Sequence, residues 1–84
     1  KNKIELSDSA LSDRILEEVK KIYAEEDINT IDGVKISFES RREWVHLRRS
    51  NTEPIIRIYA EAATQQAAEA LAQQVIDVAE KIIG

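Results

Sequence analysis

The chain has no cysteine and no methionine, and only one histidine. Without cysteine there are no disulfides, thiolate metal sites or cysteine nucleophiles. His46 alone excludes a multi-histidine metal site and a histidine pair. Aromatic residues number four. That is sparse for a protein that stacks on nucleic-acid bases, and no RNA-recognition signature accompanies them. No apolar run approaches the roughly 20 residues a membrane span needs, and no signal-peptide pattern opens the chain. The formal net charge is −4 and the pI near 5.0, so bulk positive charge is missing too. These absences disfavour nucleic-acid and anionic-membrane binding and leave a soluble, cytoplasmic domain as the expectation. What remains is 84 residues, 43% apolar and 33% charged, which makes one small globular domain. Such a domain buries roughly 60% of its unfolded surface, so its core is thin. The missing methionine adds the expectation that the chain was cut from something longer.

Periodicity divides the chain into elements. Lys3-Ile4-Glu5-Leu6 reads as a short edge strand, and Ser7-Asp8-Ser9 offers helix-capping side chains. Leu11, Ile15, Val19 and Ile22 recur at helical spacing, predicting a helix over about 10–25. Glu25-Glu26-Asp27 at its end oppose the helix dipole, so fraying is expected. A metal site there is disfavoured, because adjacent helical side chains do not face each other. The period then changes. Residues 28–31 predict a short strand, and Asp32-Gly33 signals a tight turn. Residues 34–39 alternate as a half-buried strand, 40–43 form a polar turn, and 44–48 and 55–60 are further strands. Thr64 is the expected N-cap of a last helix carrying Ala68, Leu71, Val75, Val78 and Ile82 on one stripe. No internal repeat, low-complexity tract or linker interrupts this order. The fold class predicted is α+β: an antiparallel sheet of four to five strands with two helices on one face.

The charges are not evenly spread. Five of the six arginines fall within residues 41–57, against only Glu43 and Glu53, a local balance of +3 in an acidic chain. Matching the apolar faces of the strands on either side of residues 50–54 pairs Leu47 with Ile58 and Val45 with Ala60. The same register sets Arg48 opposite Arg57, on the face away from the core. Like charges across an antiparallel pair destabilise it, and an anion between them would reverse the sign. The connecting loop carries donors: the hydroxyls of Ser50 and Thr52, the amide of Asn51, and backbone N–H groups that a left-handed Asn51 helps converge. Pro54 stiffens the turn and holds Glu53 extended. Two arginines and such a loop suit a phosphate dianion. The plainer alternative is a turn closed by its own side chains.

The run Arg48-Arg49-Ser50-Asn51-Thr52-Glu53-Pro54-Ile55-Ile56-Arg57 closely resembles the phosphate-binding loop of the α-D-phosphohexomutases, the phosphoglucomutase/phosphomannomutase family. The family pattern is Arg, any residue, Ser, Asn or Gly, Thr, Glu, Pro, then Arg three residues after the proline. Ile31-Asp32-Gly33-Val34, Trp44-Val45 and Tyr59-Ala60-Glu61-Ala62 resemble the flanking segments. The resemblance covers essentially the whole chain, as the C-terminal domain, domain 4, of such an enzyme. It implies a fold resembling the TATA-box-binding-protein-like class, without implying DNA binding.

The resemblance also implies a division of labour. Domain 4 grips the substrate phosphate while hexose 1-phosphate and hexose 6-phosphate are interconverted elsewhere. A phosphoserine in the first domain transfers the phosphoryl group, Mg²⁺ in the second stabilises that transfer, and a loop in the third reads the sugar. On this basis Arg48, Ser50, Asn51, Thr52 and Arg57 bind the substrate phosphate, and Glu53 supports them by orienting arginines or loop backbone. Arg49 falls at a variable position and is expected to be surface charge. No catalytic residue, metal ligand or cofactor is expected within these residues, and the isolated domain is expected to be inactive and monomeric. Its expected partners are a glucose or mannose phosphate and the remaining domains of the parent enzyme, with no nucleic acid or membrane. Asn51, where many phosphoglucosamine mutases have glycine, tilts the sugar toward glucose or mannose. The rival reading is a polyanion-binding module using the basic cluster over 41–57, in which Arg41 and Arg42 matter as much as Arg48. His46, Trp44 and Tyr59 share the outer parity of Arg48. His46 reads as a partly exposed strand histidine, and the two aromatics either cover the sheet or meet another domain.

Overall fold

A computed structural model describes residues 2–8, 10–31, 33–50 and 52–83, with Asn2 described by its backbone. In order the elements are β1 (Asn2–Glu5), α1 (Ala10–Ile22), β2 (Asp27–Asn29), β3 (Val34–Phe38), β4 (Glu43–Arg49), β5 (Ile55–Glu61) and α2 (Gln65–Ile83). A 3₁₀ turn over Glu39–Arg41 joins β3 to β4. The five strands form one antiparallel sheet in the order β1-β5-β4-β3-β2. β1 and β2 are therefore opposite edges, and α1 crosses the sheet between them. The predicted α+β class holds, with five strands.

Each helix begins on a side-chain cap. Asp8 Oδ1 accepts the Ala10 N–H at 2.9 Å, and Thr64 Oγ1 accepts that of Ala67 at 3.0 Å. Of the three caps offered by sequence, Ser9 lies outside the described residues. Helix α1 stops at Ile22, three residues short of the expected end. The chain turns instead through Ala24 N–H to Lys21 C=O and Glu26 N–H to Tyr23 C=O. The acidic run there would sit at the negative end of the helix dipole. Ile22, counted in the apolar stripe, is consequently 54% exposed.

The second departure lies between β2 and β3. β2 ends at Asn29 because the Asn29 side-chain oxygen takes the Ile31 N–H at 2.9 Å, turning the chain out of the sheet. Ile31, expected in the strand, is 91% exposed. Asn29 pairs with Lys35, so residues 30–34 span a connection longer than a two-residue turn. Gly33 within it has φ +79°, and a Cβ there would collide with the Leu47 carbonyl oxygen. Asp32, its expected turn partner, lies outside the described residues.

One core lies between the sheet and both helices. Ile4, Ile36, Val45, Leu47, Ile56 and Ile58 face inward from the strands, meeting Ile15 and Val19 of α1 and Leu71, Ala72, Val75 and Ala79 of α2. The alanines let α2 approach the sheet closely. Among the described residues, no helix packs on the other face of the sheet. Trp44, His46, Arg48, Arg57 and Tyr59 lie on that face, since pleating sends alternate residues to opposite sides.

Candidate functional site

The pairing of β4 with β5 is the expected one: Val45 with Ala60, Leu47 with Ile58, and Arg48 with Arg57. Burial of the aliphatic residues forces this register, because a slip by one position would put Leu47 and Ile58 in water. Arg48 and Arg57 then follow as exposed neighbours on the bare face. Their loop is tied down from three directions. Ser50 N–H reaches the Ile55 carbonyl at 3.1 Å, Ile55 N–H reaches the Glu53 carbonyl at 2.8 Å, and Leu6 N–H of the neighbouring edge reaches the Pro54 carbonyl at 2.8 Å.

Within the loop, Ser50 Oγ accepts from the backbone N–H groups of Thr52 and Glu53, each at 3.3 Å, and lies 3.4 Å from Thr52 Oγ1. The loop thus closes on its own serine, as the plainer reading held. These bonds are long, at the weak end of the N–H···O range. The N–H groups of Thr52 and Glu53 converge on one point near an exposed surface. Asn51 lies outside the described residues.

Two cavities meet at this loop. One, of about 210 Å³, is lined by Arg48, Arg49, Ser50, Arg57 and Tyr59. The other, about 450 Å³, is lined by Ser7, Asp8, Arg49, Ser50, Thr52, Glu53 and Pro54. The predicted residues are thereby divided. Arg48, Ser50 and Arg57 share the first cavity, while Thr52 and Glu53 face the second. Glu53 Oε1 stands 3.6 Å from Arg57 Nη2, the arginine contact expected of it, with both groups more than half exposed on average. A larger hollow of about 630 Å³ lies at the far end of β5, beside Trp44, Tyr59 and the first turns of α2. Its charged residues are Glu61 and Glu69, the wrong sign for an anion.

Three residues near the loop have neighbours that the sequence reading did not assign. Arg49 was expected to be plain surface charge. It is exposed, as expected, and on the inward side of the strand end its Nη1 donates to Asp13 Oδ1 of α1 at 2.8 Å. The inward parity was visible in sequence, while the partner on α1 was not. Lys3 pairs with Arg57 across β1 and β5, so Lys3, Arg57 and Arg48 form a row of cations over three adjacent strands. Lys3 Nζ lies 3.6 Å from Glu5. Tyr59 lines the cavity with the arginines, and its ring centroid lies 6.4 Å from that of His46 directly across the pair.

The basic cluster over 41–57 does not survive as one surface. Arg41 pairs with Glu43 at 3.2 Å and lies over the Phe38 ring at 4.7 Å. It and Arg42 precede β4, whereas Arg48 is near its end, roughly 20 Å along an extended strand. The polyanion-module reading needed these groups together.

Residues 3–78 match the family model described as the phosphoglucomutase/phosphomannomutase C-terminal domain. The chain belongs to that family. A probable phosphoglucosamine mutase of Methanothermobacter thermautotrophicus is 39% identical over 75 residues, covering 88% of this chain and 16% of that protein. A phosphoglucosamine/phosphogalactosamine mutase of Sulfurisphaera tokodaii is 34% identical over 82 residues, or 95% of this chain and 18% of its own length. A phosphoglucomutase/phosphomannomutase of Thermococcus kodakarensis is 51% identical over 41 residues, 49% of this chain and 9% of that protein. The chain therefore spans less than a fifth of the length of these relatives. As a mutase C-terminal domain it places β4, the loop and β5 within the matched residues. No helix among the described residues is long and apolar enough to cross a membrane.

Proposed function

We propose that this domain holds the phosphate of a hexose phosphate between Arg48 and Arg57, within a mutase that interconverts the 1- and 6-phosphates. The observation that carries this is the forced pairing of Arg48 with Arg57 on an uncovered face, with Ser50 in the same cavity. Two guanidinium groups about 5 Å apart at Cβ repel each other, and a dianion between them replaces repulsion with charge-assisted hydrogen bonds. Thr52 and Glu53 N–H groups add donors when a phosphate oxygen takes the place of Ser50 Oγ. Asn51 belongs to the same donor set in this reading. Glu53 steers Arg57 rather than touching the anion.

The phosphoryl-transfer chemistry, the serine and the Mg²⁺ belong in this reading to domains outside these residues. A gripping site made of charge and donors holds a phosphate from either end of the sugar. Relatives matched over most of this chain are named for glucosamine, which supports a hexosamine phosphate over the glucose or mannose phosphate that Asn51 suggested.

Titration of the 84-residue chain with inorganic phosphate and glucosamine 6-phosphate, followed by amide chemical shifts, tests the reading. Shifts should concentrate over residues 48–57 and weaken as salt is raised, since exposed charges are screened. Arg48→Ala should weaken binding about tenfold or more. An unchanged response in that variant defeats the proposal.

A further inference from the structure

We infer that Tyr59 packs its ring against the sugar of the bound hexose phosphate and gives the site its preference for a phosphosugar over free phosphate. The inference rests on the phosphate reading of Arg48 and Arg57. Tyr59 is 43% exposed, one of few large apolar side chains so placed. Burial does not account for it there, since it projects from the face of the sheet opposite the core. On one side its neighbours are polar: Arg48, Arg49, Ser50 and Arg57 line with it the cavity of about 210 Å³, while Trp44 and Ala60 share the hollow on its other side.

The geometry points to a ligand with two parts. Arg57 and Tyr59 lie two residues apart on the same face of β5, roughly 7 Å along the strand, a step on the scale of a sugar ring. The phosphate sits at the arginine end, and the ring attached to it extends over the tyrosine. The face of a hexose is a patch of weakly positive C–H groups, and the face of an aromatic ring is negative. His46, directly opposite Tyr59 with ring centroids 6.4 Å apart, flanks the phenol on the β4 side. The phenol ring has only two side-chain torsions to immobilise, so ordering it against a sugar costs little entropy.

The test compares inorganic phosphate with glucosamine 6-phosphate on the 84-residue chain, measuring dissociation constants from amide shifts. Tyr59→Ala should bind inorganic phosphate as before and lose preference for the phosphosugar by roughly twofold to tenfold. Tyr59→Phe should keep the preference, because the ring remains. A normal phosphate response in Tyr59→Ala with the preference intact overturns the inference and leaves the arginine site standing. Equal loss in Tyr59→Phe and Tyr59→Ala also overturns it, assigning the effect to the hydroxyl. No response to inorganic phosphate in the unaltered chain would instead bring down the arginine reading, and this inference with it.

Discussion

Along β4 and β5, Val45, Leu47 and Ile56 are completely buried, while Arg48 and Arg57 stand in water on the opposite side. The same strands make both surfaces, yet the two obey different rules. On the inner face Val45, Leu47, Ile56 and Ile58 pack in one core with residues of α1 and α2, where a change of volume is felt by the neighbours. The outer face makes no such demand. It tolerates two arginines directly opposite each other, a lysine beside them, and an exposed tyrosine. The inner face fixes where the outer residues stand, and the outer face is where chemistry is available. The proposed site is thus a by-product of a register chosen by hydrophobic burial.

This contrast is most easily broken at adjacent positions. Leu47→Ala should destabilise by about 2–5 kcal/mol, a large part of the total for so small a domain, read from urea unfolding by circular dichroism. Arg48→Ala, one residue on, should move the same midpoint by less than about 0.5 kcal/mol while weakening phosphate binding about tenfold or more. If both variants unfold alike, the separation of the two faces is wrong.

Gly33→Ala comes next in size. It forces a side chain into a positive φ and against the Leu47 carbonyl. A loss of more than about 1 kcal/mol is expected. A variant as stable as the parent would show that the 30–34 connection does not help hold β4 in place.

Asp13→Asn probes the charged link from Arg49 at the end of β4 to α1. Arg49 and Asp13 are about half exposed or more, so the expected cost is under about 1 kcal/mol. Removing the acid should leave phosphate binding equal or stronger, measured by the same titration. Weaker binding would mean that Arg49 needs Asp13 to hold the loop in shape.

The smallest effect concerns the row of cations. Lys3 lies two strands from Arg48, roughly 10 Å, where a unit charge in water contributes about 0.4 kcal/mol. Lys3→Gln should therefore weaken phosphate binding about twofold and leave stability unmoved. A tenfold loss would make Lys3 a direct ligand and extend the site to the sheet edge.

Much of this was readable in one dimension. Alternation along 44–48 and 55–60 assigned inner and outer residues, and matching those parities predicted Arg48 opposite Arg57. Thr64 and Asp8 announced their helices through capping chemistry that acts within three residues. Expectations failed where neighbours competed over short stretches. The acidic run ended α1 early, and the Asn29 side chain turned the chain before Ile31 could join β2. The supposed basic cluster failed for another reason. Extension of β4 separates Arg41 and Arg42 from Arg48, a consequence of strand geometry that counting charges overlooks.

The order of the elements, the parity of each strand and the chemistry of the loop were legible in the chain, because those depend on spacing and on contacts between near neighbours. The tertiary structure alone decided that β1 lies beside β5, bringing Lys3 to Arg57, and that Arg49 reaches Asp13. It also decided that Tyr59 lines the arginine cavity. The first two of these join residues far apart in the chain. They meet only because burying one aliphatic face aligns five strands at once.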